Sequence, residues 1–210
     1  LELQGLSLKN VSLSAMLNGK NIYSDFGEML FTHFGVSGPI VLSCSSVINR
    51  KDLKNIRLSI DLKPALTQDV LNERLIREFK ENNVKNLSTA MRSLLPKALI
   101  DVVLRQAGVR GQKNCSEITT EERFRIVGVL KNLAFSVKKL RPVEEAIVTA
   151  GGVSVSEVNP KTMESKIISG LYFAGEVLDV DGICGGYNLH FAFASAYVAA
   201  LDIINKESGK

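Results

Sequence analysis

Hydrophobic positions change period repeatedly along these 210 residues, and each change predicts a new kind of element. Up to Pro64 the signal is short strands: Leu6, Leu8, Val11 and Leu13 fall roughly two apart, and Asn18-Gly19 is the dipeptide of a tight hairpin. Residues 27–34 and 40–47 read as two more strands, split by Gly35-Val36-Ser37-Gly38-Pro39. Ile56, Leu58, Ile60 and Leu62 alternate with polar residues, the mark of a strand with one wet face. From Thr67 the spacing turns helical, with Leu71, Leu75 and Phe79 joined by Val70 and Ile76. Ser88 reads as the cap of a short helix through Leu95. Pro96 suits the first turn of a helix reaching Ala107, with Gly108 as its stop. Thr119-x-x-Glu122 is a capping box, opening a helix with Phe124, Val127, Leu130 and Leu133 on one side. Strand character returns over residues 135–140 and 145–158.

The last quarter has its own order. Leu171-Tyr172-Phe173-Ala174, bounded by Gly170 and Gly175, is short and apolar, as expected of a buried parallel strand. An acidic loop follows, then Gly185-Gly186 and an apolar helix over residues 189–201. The whole is an α+β chain: a β-rich module (residues 1–65 and 133–158) interrupted by a helical insert (66–132), then a strand-helix segment (159–210). There is no internal repeat.

Composition narrows the class. With 45% hydrophobic and 23% charged residues the chain is ordinary for a globular protein. No apolar run approaches the roughly 20 residues of a membrane span, and no basic-then-apolar leader opens the chain. Cys44, Cys115 and Cys184 are an odd number without C-x-x-C spacing, which favours a reducing, cytoplasmic setting over a disulfide framework. Two histidines leave no basis for a multi-histidine metal site. The first residue is Leu1, consistent with a fragment or a processed chain. Charge is uneven: residues 1–143 hold 22 basic and 13 acidic residues, a net of +9, and residues 144–210 hold 4 and 9, a net of −5. Without basic-aromatic interleaving, the excess reads as solvated Lys/Arg helix faces rather than a nucleic-acid surface.

The chemistry concentrates near the C-terminus. Gly175 removes a side chain where a sugar chain could approach the backbone, and Glu176 offers a carboxylate to hydroxyls. The amides and positive dipole end of the helix after Gly185-Gly186 suit a phosphate or a carbonyl oxygen. A dinucleotide fold normally opens with G-x-G-x-x-G, and none lies upstream. Ser37 in Gly-Val-Ser-Gly-Pro misses the nucleophile-elbow pattern. Asp179 and Asp181 lack calcium-loop spacing and read as a solvated loop. Cys44 reads as a buried small residue and Cys115 as a surface thiol.

The run TAGGVSVSEVNPKTMESK (149–166), followed by GLYFAGEVLDVDGICGGYNL (170–189), closely resembles the C-terminal signature of the BaiN-like, aminoacetone-oxidase-like bacterial flavoproteins, which are NAD(P)/FAD-dependent oxidoreductases. GEMLFTHFGVSGPIVLSCSS (27–46) resembles their inserted domain, as does Leu94-Leu95-Pro96-Lys97 in its helical part. The resemblance implies an N-terminal Rossmann-like FAD region and a β-barrel-like insert domain interrupted by a small helical subdomain. A C-terminal segment then completes the FAD domain. This chain matches the insert and the C-terminal segment only. It implies Glu176 on the FAD ribityl chain and Gly185, Gly186, Tyr187 and Asn188 against the flavin and pyrophosphate, with Gly175 and Leu189 in the same wall. His33, in the inserted domain, becomes the candidate catalytic residue for substrate-side proton handling. His190 stands where the family often has Gln, and Cys184 where it often has Thr. The expectation is therefore a fragment of an FAD-dependent oxidoreductase, with NAD(P)H as a candidate electron donor. Its partner would be the missing N-terminal half, and alone it would bind FAD weakly or not at all. Apolar faces left uncovered would favour pairing between copies. The alternative is a non-catalytic nucleic-acid- or protein-binding module using the basic residues 1–143.

Overall fold

The computed structural model describes residues 2–183 and 185–209. It divides into two compact units, Leu1–Lys138 and Lys139–Lys210.

In the first unit, β1 (Ser7–Leu17) and β2 (Lys20–Phe31) form the predicted hairpin, closed by Asn18 (φ 49°) and Gly19 (φ 81°) in the left-handed pair of a type I′ turn. With β3 (Val36–Ser37), β4 (Ile56–Asp61) and β5 (Leu133–Ser136) they build a curled, antiparallel half-barrel of order β3-β2-β1-β4-β5. Alternation sorts its faces. Leu13 opposite Ile60 and Ala15 opposite Leu58 are buried, whereas Ser14 opposite Ser59 and Met16 opposite Arg57 lie on the other face. The α+β class with a barrel-like sheet is therefore what the chain forms.

Residues 40–47 are not a strand. They lie in α1 (Pro39–Ile48), where Pro39 pre-sets the first helical turn and Ile40, Cys44 and Ile48, four apart, form the buried side. The β-branched residues there mimic a strand, and the spacing of four decides otherwise. Tyr23 of β2 donates its hydroxyl to the Ile40 carbonyl (2.8 Å), fastening helix to sheet.

Four helices lie between β4 and β5 in sequence: α2 (Gln68–Glu81), α3 (Leu87–Ala90), α4 (Lys97–Ala107) and α5 (Thr120–Lys131). Leu71, Leu75, Leu87, Leu99, Ile126 and Leu130 are essentially sealed from solvent, each contributing about 1.5–3 kcal/mol by burial. The capping box is complete: the Thr119 hydroxyl accepts from the Glu122 N–H (3.2 Å), and the Glu122 carboxylate accepts from the Thr119 N–H (2.9 Å). Three expectations fail locally. Phe124 is half exposed and Ile126 takes the buried face, α3 begins after Asn86 rather than at a Ser88 cap, and Cys115 is buried.

The insert is tied shut at its neck. The Lys131 ammonium pairs with Asp61 (2.6 Å) and donates to the carbonyls of Lys63 (3.0 Å) and Leu66 (2.7 Å), while the Leu62 N–H donates to the Leu130 carbonyl (2.9 Å). At the sheet's far edge, the Gln106 amide donates to the Ala134 carbonyl (3.0 Å) and accepts from its N–H (3.4 Å).

The second unit has little regular structure beyond α6 (Tyr187–Glu207). Residues 145–158 give a short 3-10 turn, Val155–Glu157, and two isolated bridges, Val153 to Leu178 (parallel) and Val158 to Ser165 (antiparallel), instead of a strand. The expected parallel strand at residues 170–174 is likewise one antiparallel bridge, Tyr172 to Glu164, with Leu171 partly exposed. Residues 163–165 do run alongside, with the Ser165 N–H donating to the Leu171 carbonyl (2.7 Å) and the Phe173 N–H to the Met163 carbonyl (3.0 Å), but the pairing stops at one bridge and builds no ladder. Among the described residues one helix, α6, reaches the length (21 residues) and mean hydropathy (1.2) of a membrane span, and Asn188, His190, Ser195 and Asp202 interrupt its apolar residues, so no continuous apolar run is present there. Its C-terminal half carries Asp202 and Lys206, which bond to the loops of its own unit.

Lys131→Ala leaves Asp61 and two carbonyls without their shared cation, in a junction where both side chains are largely buried. The expected loss is about 1.5–3 kcal/mol, the range for hydrogen bonds to charged groups, read as a lower urea midpoint with an unchanged slope.

Candidate functional site

The predicted cofactor residues, Gly175, Glu176 and Gly185 to Leu189, all lie in the second unit. Glu176 sits in a 3-10 turn, Gly175–Val177. One of its carboxylate oxygens accepts from the Thr149 N–H (2.8 Å) and from the Thr149 hydroxyl (3.0 Å). These two donors, the backbone one foremost, hold the carboxyl below its usual range, so it stays ionised. Its other oxygen takes no hydrogen bond from the described residues and faces outward on an exposed side chain.

Gly175 is fastened to α6: its N–H donates to the Ser195 hydroxyl (2.9 Å), which in turn donates to the carbonyl of Phe191 (2.8 Å) or Ala192 (3.0 Å). Ser195 is the one buried polar residue among those described. Beneath the turn runs the Gly151-Gly152 segment. The Val153 N–H donates to the Val177 carbonyl (2.8 Å), the Asp179 N–H to the Val153 carbonyl (2.9 Å), and the Gly151 N–H to the Asp179 carboxylate (3.1 Å). A Cβ on Gly152 would stand 2.4 Å from the Val177 carbonyl oxygen, and its φ is 141°, so no other residue fits.

At the start of α6, Gly186 is the N-cap, no side chain caps the helix, and its first turn carries no acid. The amides of Tyr187, Asn188 and Leu189 therefore have no intrahelical partner. Asn188 uses its side chain locally, accepting from the Gly182 N–H (2.7 Å) and donating to the Gly182 carbonyl (3.3 Å), so it shapes the acidic loop. Tyr187 and Leu189 are exposed, and so is His190. Cys184 lies outside the described residues.

The far end of α6 is pinned by a polar cluster. Lys206 pairs with Glu164 (2.5 Å) and Asp202 (3.0 Å), and the Tyr172 hydroxyl donates to Asp202 (2.7 Å). Between the pinned ends, Leu189 (66% exposed), Phe193 (75%) and Tyr197 (66%) line up four apart as an uncovered apolar stripe.

His33 belongs to the first unit. It sits in the turn after β2, its ring edge-on to Phe34 at 5.0 Å, with the Thr32 N–H bonded to the Gly35 carbonyl (2.8 Å). Sequence reasoning missed Thr149, Ser195 and the structural use of Asp179. The signal lay in the TAGG run and in a lone small polar residue within an apolar helix.

The family model described as "HI0933-like protein barrel and H2TH domain" matches residues 1–148. The chain belongs to the HI0933-like family. It is 37% identical over 204 residues to a ribosomal RNA dihydrouridine synthase of Haemophilus influenzae, covering 96% of this chain and 47% of that protein. It is 30% identical to a 3-dehydro-bile acid delta(4,6)-reductase of Clostridium scindens, covering 90% and 47%, and 32% identical to a ribosomal RNA dihydrouridine synthase of Escherichia coli, covering 96% and 48%. This HI0933-like chain thus spans about half the length of the curated relatives it matches.

Two predictions follow from the geometry of the HI0933-like second unit. Gly152→Ala forces its new methyl onto the Val177 carbonyl, and limited proteolysis should show cutting near residues 149–179 while the first unit resists. The α6 anchor should fail in acid. Lys206 and then the Gly170 N–H hold Glu164 below its ordinary 4.5, and the Tyr172 hydroxyl and then Lys206 hold Asp202 below its ordinary 3.8. Both folded values are depressed, so the stabilisation is complete above about pH 5 and is lost as pH falls through them. The thermal midpoint of helix loss by circular dichroism should drop between pH 6 and pH 3, and less so in Lys206→Met.

Proposed function

We propose that this chain is part of an FAD-dependent oxidoreductase and supplies its barrel and helical unit together with one wall of the flavin site. The observation that carries the reading is Glu176. A carboxylate kept ionised and oriented through one oxygen, with the other open, is suited to accept from the vicinal hydroxyls of a ribityl chain. Two further features fit an anionic, polyhydroxylated cofactor: the uncapped amides of Tyr187, Asn188 and Leu189, and the glycine backbone of residues 185–186. The bare Leu189–Phe193–Tyr197 stripe is what a helix presents when the rest of its domain comes from chain outside this sequence. That remaining chain, in the half of the relatives' length not matched here, would bring the adenosine and pyrophosphate contacts.

When bound, reduced FAD supplies a hydride, and the protein's task is to hold it, orient it and exclude water. Glu176 would fix the ribityl chain, Ser195 and Thr149 would hold the Gly175–Val177 turn in place, and the first turn of α6 would meet the pyrophosphate or a flavin carbonyl. His33 would deliver a proton on the substrate side. Two of the three relatives act on ribosomal RNA by name. We therefore take RNA uridine as the substrate class. Its reduction adds the hydride and one proton across the base's C5–C6 double bond.

In the full-length parent, Glu176→Ala should weaken FAD about 10- to 100-fold, the loss expected of one charge-assisted hydrogen bond, read by flavin absorbance and fluorescence titration. His33→Gln should lower turnover without changing FAD affinity. A parent that neither carries nor takes up flavin overturns the reading.

A further inference from the structure

We propose that the wet face of the half-barrel carries a phosphodiester-binding cleft that docks the RNA backbone. This rests on RNA being the substrate class of the parent enzyme. A cavity of about 510 Å³ opens where β1, β4 and β5 meet the Asn18-Gly19 turn. Its polar lining is Lys54, Arg57, Asn18, Asn55, Ser59 and Asn132, and no carboxylate is among its lining residues.

Each of these groups is placed by structure already described. Arg57 points to the wet face because β4 alternates, with Ile56 and Leu58 buried on either side of it. Lys54 stands in the short 3-10 turn Leu53–Asn55, whose start is capped by Asp52. That carboxylate is the nearest acid in sequence, and it is occupied: it accepts from the Lys54 N–H (3.2 Å) and from the Asn55 amide (2.8 Å). Asn132, the C-cap of α5, accepts from the Ser59 hydroxyl (2.5 Å) through its carbonyl oxygen, which turns its NH₂ donors away from that bond. The Lys54 ammonium, the Arg57 guanidinium and the Asn18 and Asn132 amides find no acceptor among the described residues.

The cleft thus presents two permanent cations and two amide donors, with their neighbouring acceptors already used. A phosphodiester is matched by this set: it carries one negative charge and two free oxygens, and a guanidinium can bind both at once. A neutral sugar or an apolar ligand would leave the cations unpaired. The lining holds no aromatic ring on which a base could stack, so the cleft would position the strand without reading sequence.

The test uses the 210-residue chain and a fluorescein-labelled single-stranded RNA of mixed sequence, followed by anisotropy between about 50 and 200 mM KCl. Lys54→Gln/Arg57→Gln removes two contacts from an exposed surface, and Arg77→Gln/Lys80→Gln on α2 removes the same charge elsewhere on the unit. For two single-strand phosphate contacts, the slope of log affinity against log salt should become shallower by about 1.4, with roughly 25-fold weaker binding at 0.1 M. The α2 pair should change the slope less than half as much, with both variants melting like the wild type. Equal losses from both pairs, or none from the cleft pair while the wild type binds RNA, overturn the cleft and leave RNA as substrate class. Displacement of the RNA by inorganic phosphate beyond the effect of matched KCl makes the site one for free anions and also overturns it. A wild-type chain that shows no RNA binding at the lowest salt overturns both.

Discussion

The first unit depends on one ammonium group. A helical segment inserted between neighbouring strands must leave the sheet and return to it in register, and Lys131 fixes both ends at once. It takes the carboxylate at the end of β4 and the two carbonyls of the outgoing chain, while sitting on the last residue of α5 before the chain turns into β5. The entropy of closing a loop of that length is moderate, because the cost grows only logarithmically with length. What the junction contributes is geometry: with Leu62 bonded to Leu130, Leu133 arrives opposite Ile60, and the β4–β5 ladder follows.

Local rules were legible wherever a local cause exists. Asn18-Gly19, the Thr119 capping box, the alternation of β4 and the Gly108 stop could all be read because each depends on residues within four positions of one another. At α1 the β-branched residues suggest a strand, whereas the spacing of Ile40, Cys44 and Ile48 at every fourth position makes a helix with one buried side. At residues 171–174 the apolar run suggests a buried strand, but none of the four is buried and the pairing with residues 163–165 is a single bridge. In the candidate site, Gly175 and Glu176 stood out as a pair. Their anchors did not, because Thr149 lies 27 residues and Ser195 20 residues away, and no periodicity encodes a meeting at that distance.

The two units are stabilised differently. The first has a conventional core of sealed Leu and Ile side chains. The second relies on side chains that bond to backbone, at Glu176, Asp179, Asn188 and Ser195, and α6 buries only Ser195 and Ala199. A unit held by such bonds, with few apolar contacts, belongs at the low end of local stability.

The Gln106 side chain has an effect that does not show in any count of stabilising contacts. By filling the hydrogen-bonding positions of Ala134, it stands where a sixth strand would begin and opposes growth of the sheet past β5. The opposite edge is β3, two residues long and bounded by Gly35 and Gly38, and it offers little more to a foreign strand. A half-barrel with open borders would invite stacking into fibrils. Here one amide occupies the pairing groups of Ala134 at one border, and a two-residue strand covers the end of β2 at the other, a local guard against edge-to-edge pairing.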